Sequence, residues 1–352
     1  MDGTEGLVIV EPDEKTLKKY HKFEAAKQKE EKSLSKLKHK AACTKDGVAI
    51  TLLANIGSPE EAQLALEEGA GGIGLFRTEF LFMGAMQDAR KTGSSGKKSV
   101  SEAAQLESYK QVLEIMGNRP VIIRTLDAGG DKLLKDAGFD SVPEQNPLLG
   151  SRAIRLTLAN KSLFKRQLRA LYRASVYGNL RIMIPLVTHL SQIKETLQVI
   201  DEVKAELKKD GLDFNPEVPV GIMVETAAAA ISADIFAKYS DFFSIGTNDL
   251  TQYVLGIDRE NPSVAALYDD KNVAVLRLIK NTVDCADKGG IPVSVCGEMA
   301  GVPEKAMVLA FLGVRTLSVS PVHIGAVKKA LAKHSIKELE KMAQKALSGE
   351  SL

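Results

Sequence analysis

Arg77 in "GLFRTE", Arg124 in "VIIRTLD", Glu225 in "IMVETA", Asn248 and Asp249 in "IGTNDL", and Cys296 in "SVCGEM" each stand where a short apolar run breaks off. Arginine offers a planar fork of donors matched to phosphate and carboxylate oxygens, so two of them converging imply a small polyanion. Two carboxylates, Glu225 and Asp249, beside such an anion suit Mg2+, a hard ion that takes oxygen ligands and shares itself with phosphate. A thiol beside a metal-bound anion can serve as a nucleophile or as a proton donor. Cys296 has no adjacent histidine to act as its base, which weakens a papain-like reading. Singly, each residue also has a blander account: Arg77 and Glu79 as a local surface pair, Asn248-Asp249 as a helix N-cap, Cys296 as a small buried hydrophobe. They describe a site only if a fold collects their ends.

The elements needed for that are visible in the texture after residue 45. Short β-rich runs at 48–57, 71–79, 120–127, 180–188, 218–226, 241–249, 291–298 and 314–321 alternate with amphipathic helical stretches. Among the latter are "PEEAQLALEEGA", "SLFKRQLRALYRASVYG", "SQIKETLQVIDEVKAELKKDG" and "NVAVLRLIKNTVDCADKGG", and most close on a glycine, the expected C-cap. Eight strand runs spaced by eight helical stretches, the last from Ile324 to Leu347, are what a (β/α)8 TIM barrel of the α/β class requires. Such a barrel carries the ends of its strands on one face. An open doubly wound sheet is the alternative, and it would not use eight strands at so regular a spacing. One stretch breaks the rhythm: "GAMQDARKTGSSGKKSVSEA" (84–103), rich in Gly, Ser and Lys, reads as a mobile surface loop on the catalytic side or as an insertion without function.

Ahead of the barrel, "GLVIV" reads as a short strand. Asp13 to Lys40 reads as a charged segment with a thin helical stripe at Leu17, Tyr20, Phe23, Leu34 and Leu37. Fully helical, it would reach ~42 Å. So thin a stripe under so much charge fits a linker or arm, with a solvated surface helix on the main domain as the alternative. The 352 residues suit about two domains. A 44% apolar and 26% charged composition is that of a soluble globular protein, and a net charge of +2 gives no reason to expect nucleic acid or an anionic membrane as partner. Three widely spaced cysteines, Cys43, Cys285 and Cys296, without a CxxC argue against disulfides or zinc and for a reducing compartment. No signal peptide or span of ~20 apolar residues is present, so a cytoplasmic location is expected. His189, just past the fourth run, suits a helix N-terminus or the surface better than the site. His21 and His39 fall in the charged segment, and His323 and His334 in the last helical region.

The segments "GIGLFRTEFLFM", "IIRTLDAGGDK", "NPLLGSRAIR", "GIMVETAAAA", "FFSIGTNDLTQYVLGIDREN" and "VCGEMAG" cover most of residues 48 to 330. In them the chain resembles enzyme I of the bacterial sugar phosphotransferase system, the phosphoenolpyruvate-protein phosphotransferases. The resemblance implies phosphoenolpyruvate-binding roles for Arg77, Arg124, Arg259 and Asn248. It implies Mg2+ ligation by Glu225 and Asp249, the latter also at the substrate. Cys296 would be the acid that protonates C3 of the enolate left when the phosphoryl group departs. It further implies a phosphohistidine domain as phosphoryl acceptor, the phosphocarrier protein HPr beyond it, pyruvate as product and a homodimer. No histidine here has the Gly-Gly-x-x-Ser-His context of that domain. The expectation is therefore that residues 1–45 are the tail of that domain plus a helical linker, and 46–352 the phosphoenolpyruvate-binding barrel. The chain would then be the C-terminal part alone, cut at a domain boundary, or one piece of a naturally split protein. The basic stretch 84–103 departs from the acidic, Pro-containing stretch usual after "FLFM". Other functions in view are the corresponding domain of pyruvate phosphate dikinase or phosphoenolpyruvate synthase, a metal-dependent carbon–carbon lyase, and a non-catalytic phosphoenolpyruvate-sensing dimer module.

Overall fold

The computed structural model describes residues 6–82, 100–129 and 144–348. Eight parallel strands close on themselves in sequence order: β1 (Thr51–Ile56), β2 (Ile73–Phe76), β3 (Pro120–Arg124), β4 (Asn179–Ile184), β5 (Val220–Val224), β6 (Phe243–Ile245), β7 (Val293–Val295) and β8 (Thr316–Val319). Closure runs through β1 and β8, with Thr51 opposite Thr316 and Ala54 opposite Val319. The (β/α)8 barrel is therefore the fold, and the open-sheet alternative falls.

Side chains alternating along each strand divide the core in two, because successive Cβ atoms leave opposite faces. Outward residues such as Ile73, Phe76, Ile123, Ile182 and Val224 pack under the helices in one large apolar cluster. Inward residues Leu75, Ile122, Met183 and Met223 form a second cluster with Phe242 and Cys296. The helix Lys161–Ala174 illustrates the outer layer: Phe164, Leu168 and Leu171 are buried in the large cluster, while Leu163 joins a smaller one with Phe82, Val100, Leu126 and Ala128. Burial of each is worth about 1.5–3 kcal/mol. Beside it, Phe76 and Tyr109 meet edge to face, ring centres 6.2 Å apart.

Each strand is shorter than its sequence run, mainly because the rim residues leave the sheet once its ladder ends. The run 241–249 yields only Phe243–Ile245, since Thr247 already begins a helix. The helix Glu102–Met116, capped by Ser101 accepting from the Ala104 N–H, takes over the end of the expected loop 84–103, while residues 84–99 lie outside the described residues. "GLVIV" forms no strand segment. Leu7 forms a single isolated bridge, and Leu7, Val8, Ile9 and Val10 stay exposed, without the packing that β-propensity chiefly reports.

The charged segment is helical from Glu14 to Ser35, with Asp13 accepting from the Thr16 N–H at 2.8 Å as its N-cap. Its C-terminal end is attached to the barrel. Leu34 packs against Gly325, and the buried Lys328 ammonium donates to the carbonyls of Lys38 (2.7 Å), Leu37 (3.3 Å) and Gly69 (3.3 Å). Gly69, at φ +77°, lets this approach happen, since a Cβ there would fall 1.7 Å from the Lys38 oxygen. No helix among the described residues is long and apolar enough to cross a membrane.

Candidate active site

The C-terminal ends of the strands enclose a cavity of about 330 Å³. Arg77, Arg124, Glu225, Asn248, Asp249, Arg259 and Cys296 all line it, so the fold brings together every residue singled out from the sequence. Arg77, Glu225 and Cys296 are the first residues past β2, β5 and β7, and Arg124 ends β3. Asn248 and Asp249 sit in the first turn of the helix Thr247–Leu255, where Gly246 takes the cap position, so the N-cap account of this pair does not hold.

Five further charged residues line the cavity, Glu79, Asp127, Arg152, Glu260 and Glu298, and the first three are linked to one another. Glu79 does not pair locally with Arg77; its Oε2 lies 3.2 Å from Arg124 Nη2, and its Oε1 accepts from the Asp127 N–H at 2.9 Å. Arg124 Nη1 is 2.7 Å from Asp127 Oδ2, and Arg152 Nη2 bridges Asp127 Oδ1 (2.9 Å) to Asp249 Oδ2 (3.4 Å). The result is an alternating chain, Glu79, Arg124, Asp127, Arg152, Asp249, along one wall. Burial works against the charge on Arg124, yet Asp127, Glu79 and Glu225 hold its guanidinium protonated above the ordinary arginine range. Asp127 shows the mirror image: burial opposes its charge, and Arg124 and Arg152 nevertheless keep its carboxyl below the usual range. Both Nε atoms, of Arg124 and Arg152, are buried without a hydrogen-bond partner among the described residues.

Oxygens of Asp127, Glu225 and Asp249 approach within 4.8 Å of one another. Glu225 is the most buried of the three, and its Oε1 accepts from the Leu186 N–H at 2.6 Å. Leu186 adopts φ +55° to present that N–H, a conformation costly for a branched residue and found where the surroundings over-determine it. Burial, then Asp127 and Asp249, push the Glu225 carboxyl well above the usual range, against the pull of Arg124. Three carboxylates sharing so little space with this penalty fit a divalent cation, which would relieve the repulsion.

Cys296 is 2% exposed, its Sγ 3.7 Å from the Ile245 carbonyl. Burial pushes its thiol up to about 11 despite the nearby Arg124 and Arg77. Asn55, on β1, reaches across the barrel end. Its Nδ2 donates to the Cys296 carbonyl at 3.0 Å and to the Ser318 carbonyl at 3.2 Å, while Ser318 Oγ donates to its Oδ1 at 2.6 Å. Gly74 makes room for this network, since a Cβ there would lie 2.4 Å from Ser318 Oγ. His189 is exposed at the start of the helix Leu190–Lys209, where its N–H donates to Gln192 at 3.0 Å, the helix-terminal role expected of it.

Sequence reasoning missed Asp127, Arg152, Glu79 and Asn55. Asp127 carried a signal, an acid three residues past Arg124. Arg152 carried none, since only the chain path returning beside Gly129 brings it back to the rim.

Residues 31–336 match the family model described as PEP-utilising enzyme, PEP-binding domain. The chain is 43% identical over 349 residues to a phosphoenolpyruvate-protein phosphotransferase of Geobacillus stearothermophilus, covering 99% of this chain and 58% of that protein. It is 43% identical over 348 residues to one from Staphylococcus aureus, with the same coverage. It is 40% identical over 347 residues to one from Cupriavidus necator, again over 99% of this chain and 58% of the relative. The chain thus spans under two thirds of the length of these relatives. Since the family match runs through the whole barrel and every rim residue described above, the chain belongs to the family of PEP-binding domains of PEP-utilising enzymes.

Proposed function

We propose that this chain binds phosphoenolpyruvate with Mg2+ and supports transfer of its phosphoryl group to a histidine on a separate domain, releasing pyruvate. In this reading the transfer opens a sugar phosphotransferase cascade that continues to the phosphocarrier protein HPr. The single observation that carries the reading is the meeting of Arg77, Arg124 and Arg259 with Asp127, Glu225 and Asp249 in one small cavity at the strand ends. Phosphoenolpyruvate is small and polyanionic, and phosphoryl transfer asks chiefly for positioning and charge neutralisation.

The arginines and Asn248 would grip the phosphoryl and carboxylate oxygens, with Arg124 held rigid by its two acid partners. Glu225 and Asp249, with Asp127 beside them, would hold Mg2+, which supplies a positive charge shared between these oxygens and the substrate. As the acceptor histidine forms its N–P bond, the ester O–P bond breaks and its electron pair passes to the enolate. The thiol of Cys296, protonated at neutral pH, gives its proton to C3, and the resulting thiolate takes one back from solvent. Domain roles follow the same reading: 46–352 is the catalytic barrel, and 1–45 comprises the end of the phosphohistidine domain and its helical link. A cytoplasmic homodimer is the proposed working form.

Titration calorimetry with phosphoenolpyruvate, with and without Mg2+, tests this. Metal-dependent binding is expected. Absence of binding under both conditions would falsify the reading. Turnover of a 2-oxo acid by this chain alone would instead favour a lyase. Binding without any turnover, when a phosphohistidine domain is supplied in trans, would favour a sensing module. A dikinase or synthase domain would need the histidine domain of its own family.

A further inference from the structure

Glu298 lies two residues past Cys296, opening the short turn Glu298–Gly301, and its side chain is 78% exposed. An exposed glutamate ordinarily gains little from any one surface contact. This one is nevertheless engaged on the inner side. Asn248 Nδ2 donates to Glu298 Oε1 at 3.1 Å, and the same oxygen lies 3.7 Å from Arg259 Nη1. Separately, the Glu298 backbone N–H donates to Asn248 Oδ1 at 2.9 Å.

Asn248 and Arg259 are two of the groups given above to phosphoenolpyruvate. We infer that Glu298 is a competing internal carboxylate that sets the affinity of the pocket: its Oε1 uses donors on Asn248 and Arg259 that the anionic oxygens of the substrate need. This inference rests on the phosphoenolpyruvate-binding reading. The two anions repel as well as compete, because a carboxylate in contact with a phosphate or carboxylate is unfavourable without a cation between them. High exposure lets Glu298 swing into water without leaving a buried partner unsatisfied. The backbone tie to Asn248 does not depend on the side chain, so the amide stays oriented after the carboxylate has left. The main chain of residue 298 positions the site and its side chain loosens it. For the product the same competition favours departure, since pyruvate retains one carboxylate and must hold off the returning Glu298.

Titration calorimetry in the presence of Mg2+ on the parent, Glu298→Ala and Glu298→Gln, with thermal midpoints checked, provides the test. Glu298→Ala should bind phosphoenolpyruvate about 3–10-fold more tightly, the scale of one competing exposed contact. Glu298→Gln, which keeps an acceptor for Asn248 but loses the attraction to Arg259, should fall between. Pyruvate binding should tighten in the same order. An unchanged or weaker Kd in Glu298→Ala, with the parent binding normally, overturns the competing role and makes Glu298 a support for Asn248 and Arg259. If the parent fails to bind phosphoenolpyruvate, the functional reading falls and this inference falls with it.

Discussion

The thiol of Cys296 and the carboxyl of Glu225 are both driven toward their neutral forms, the first by burial and the second by burial plus two neighbouring acids. For the thiol the sign is simple. Its folded pKa of about 11 exceeds the value for a free cysteine, so ionisation on raising the pH disfavours the folded state between the two values. Alkylation should follow the thiolate. Exposed Cys43 should be carboxamidomethylated at pH 8, and Cys296 only as the pH nears 11, read by peptide mass spectrometry. Equal rates at pH 8 would mean that the thiol is neither buried nor neutral. For Glu225, the charged form is the one that its surroundings oppose in the metal-free protein. Glu225→Gln keeps the acceptor for the Leu186 N–H and removes that charge. The metal-free melting point should therefore rise by roughly 1–3 °C, while Mg2+ ceases to tighten phosphoenolpyruvate binding. A fall in melting point together with retained metal dependence would sink the assignment.

Elements place these residues through ties the sequence did not announce. Asn55 joins β1, β8 and the residue after β7, so the height of Cys296 at the rim is fixed from a strand two places away. Asn55→Ala should leave phosphoenolpyruvate affinity within about twofold and lower turnover, with a histidine domain added, by about tenfold or more, because small displacements of a positioned acid are costly. A stability loss of about 1–2 kcal/mol should accompany it. Equal losses in binding and turnover would reassign Asn55 to general support. The strands were legible because runs such as "VIIR" and "GIMV" combine β-branched residues with abrupt ends, and each end delivers its rim residue by chain adjacency alone. Arg77, Arg124, Glu225 and Cys296 could therefore be picked from a single sequence. Arg152 and Asn55 could not, since one is brought to the rim by a loop and the other acts on a strand two places away. "GLVIV" misled for the converse reason: its pattern is that of a strand, but only Leu7 forms a bridge and the run stays exposed.

At the scale of the molecule, charge is nearly balanced and the barrel is closed, while the helix Glu14–Ser35 stands apart from both. Its described side chains before Leu34 are largely exposed, and capping by Asp13 contributes to its stability. Removing residues 1–32 should leave the main thermal transition within about 2 °C, since the attachment at Leu34, Lys38 and Lys328 is untouched. A larger drop would show that the exposed turns support the core. A rod of 22 residues measures about 33 Å and is clamped at one end only. Gly325, against which Leu34 rests, is the second residue of the helix Ile324–Leu331 that follows β8. The geometry is that of a crane jib: a turn of about 10° at its foot sweeps the tip through about 6 Å while every helical hydrogen bond stays intact. Spin labels at Lys15 and Lys305 should accordingly report a broad spread of distances, and labels at Lys36 and Lys305 a narrow one. The tip can then be displaced at the cost of a hinge motion, with no refolding of either the rod or the barrel.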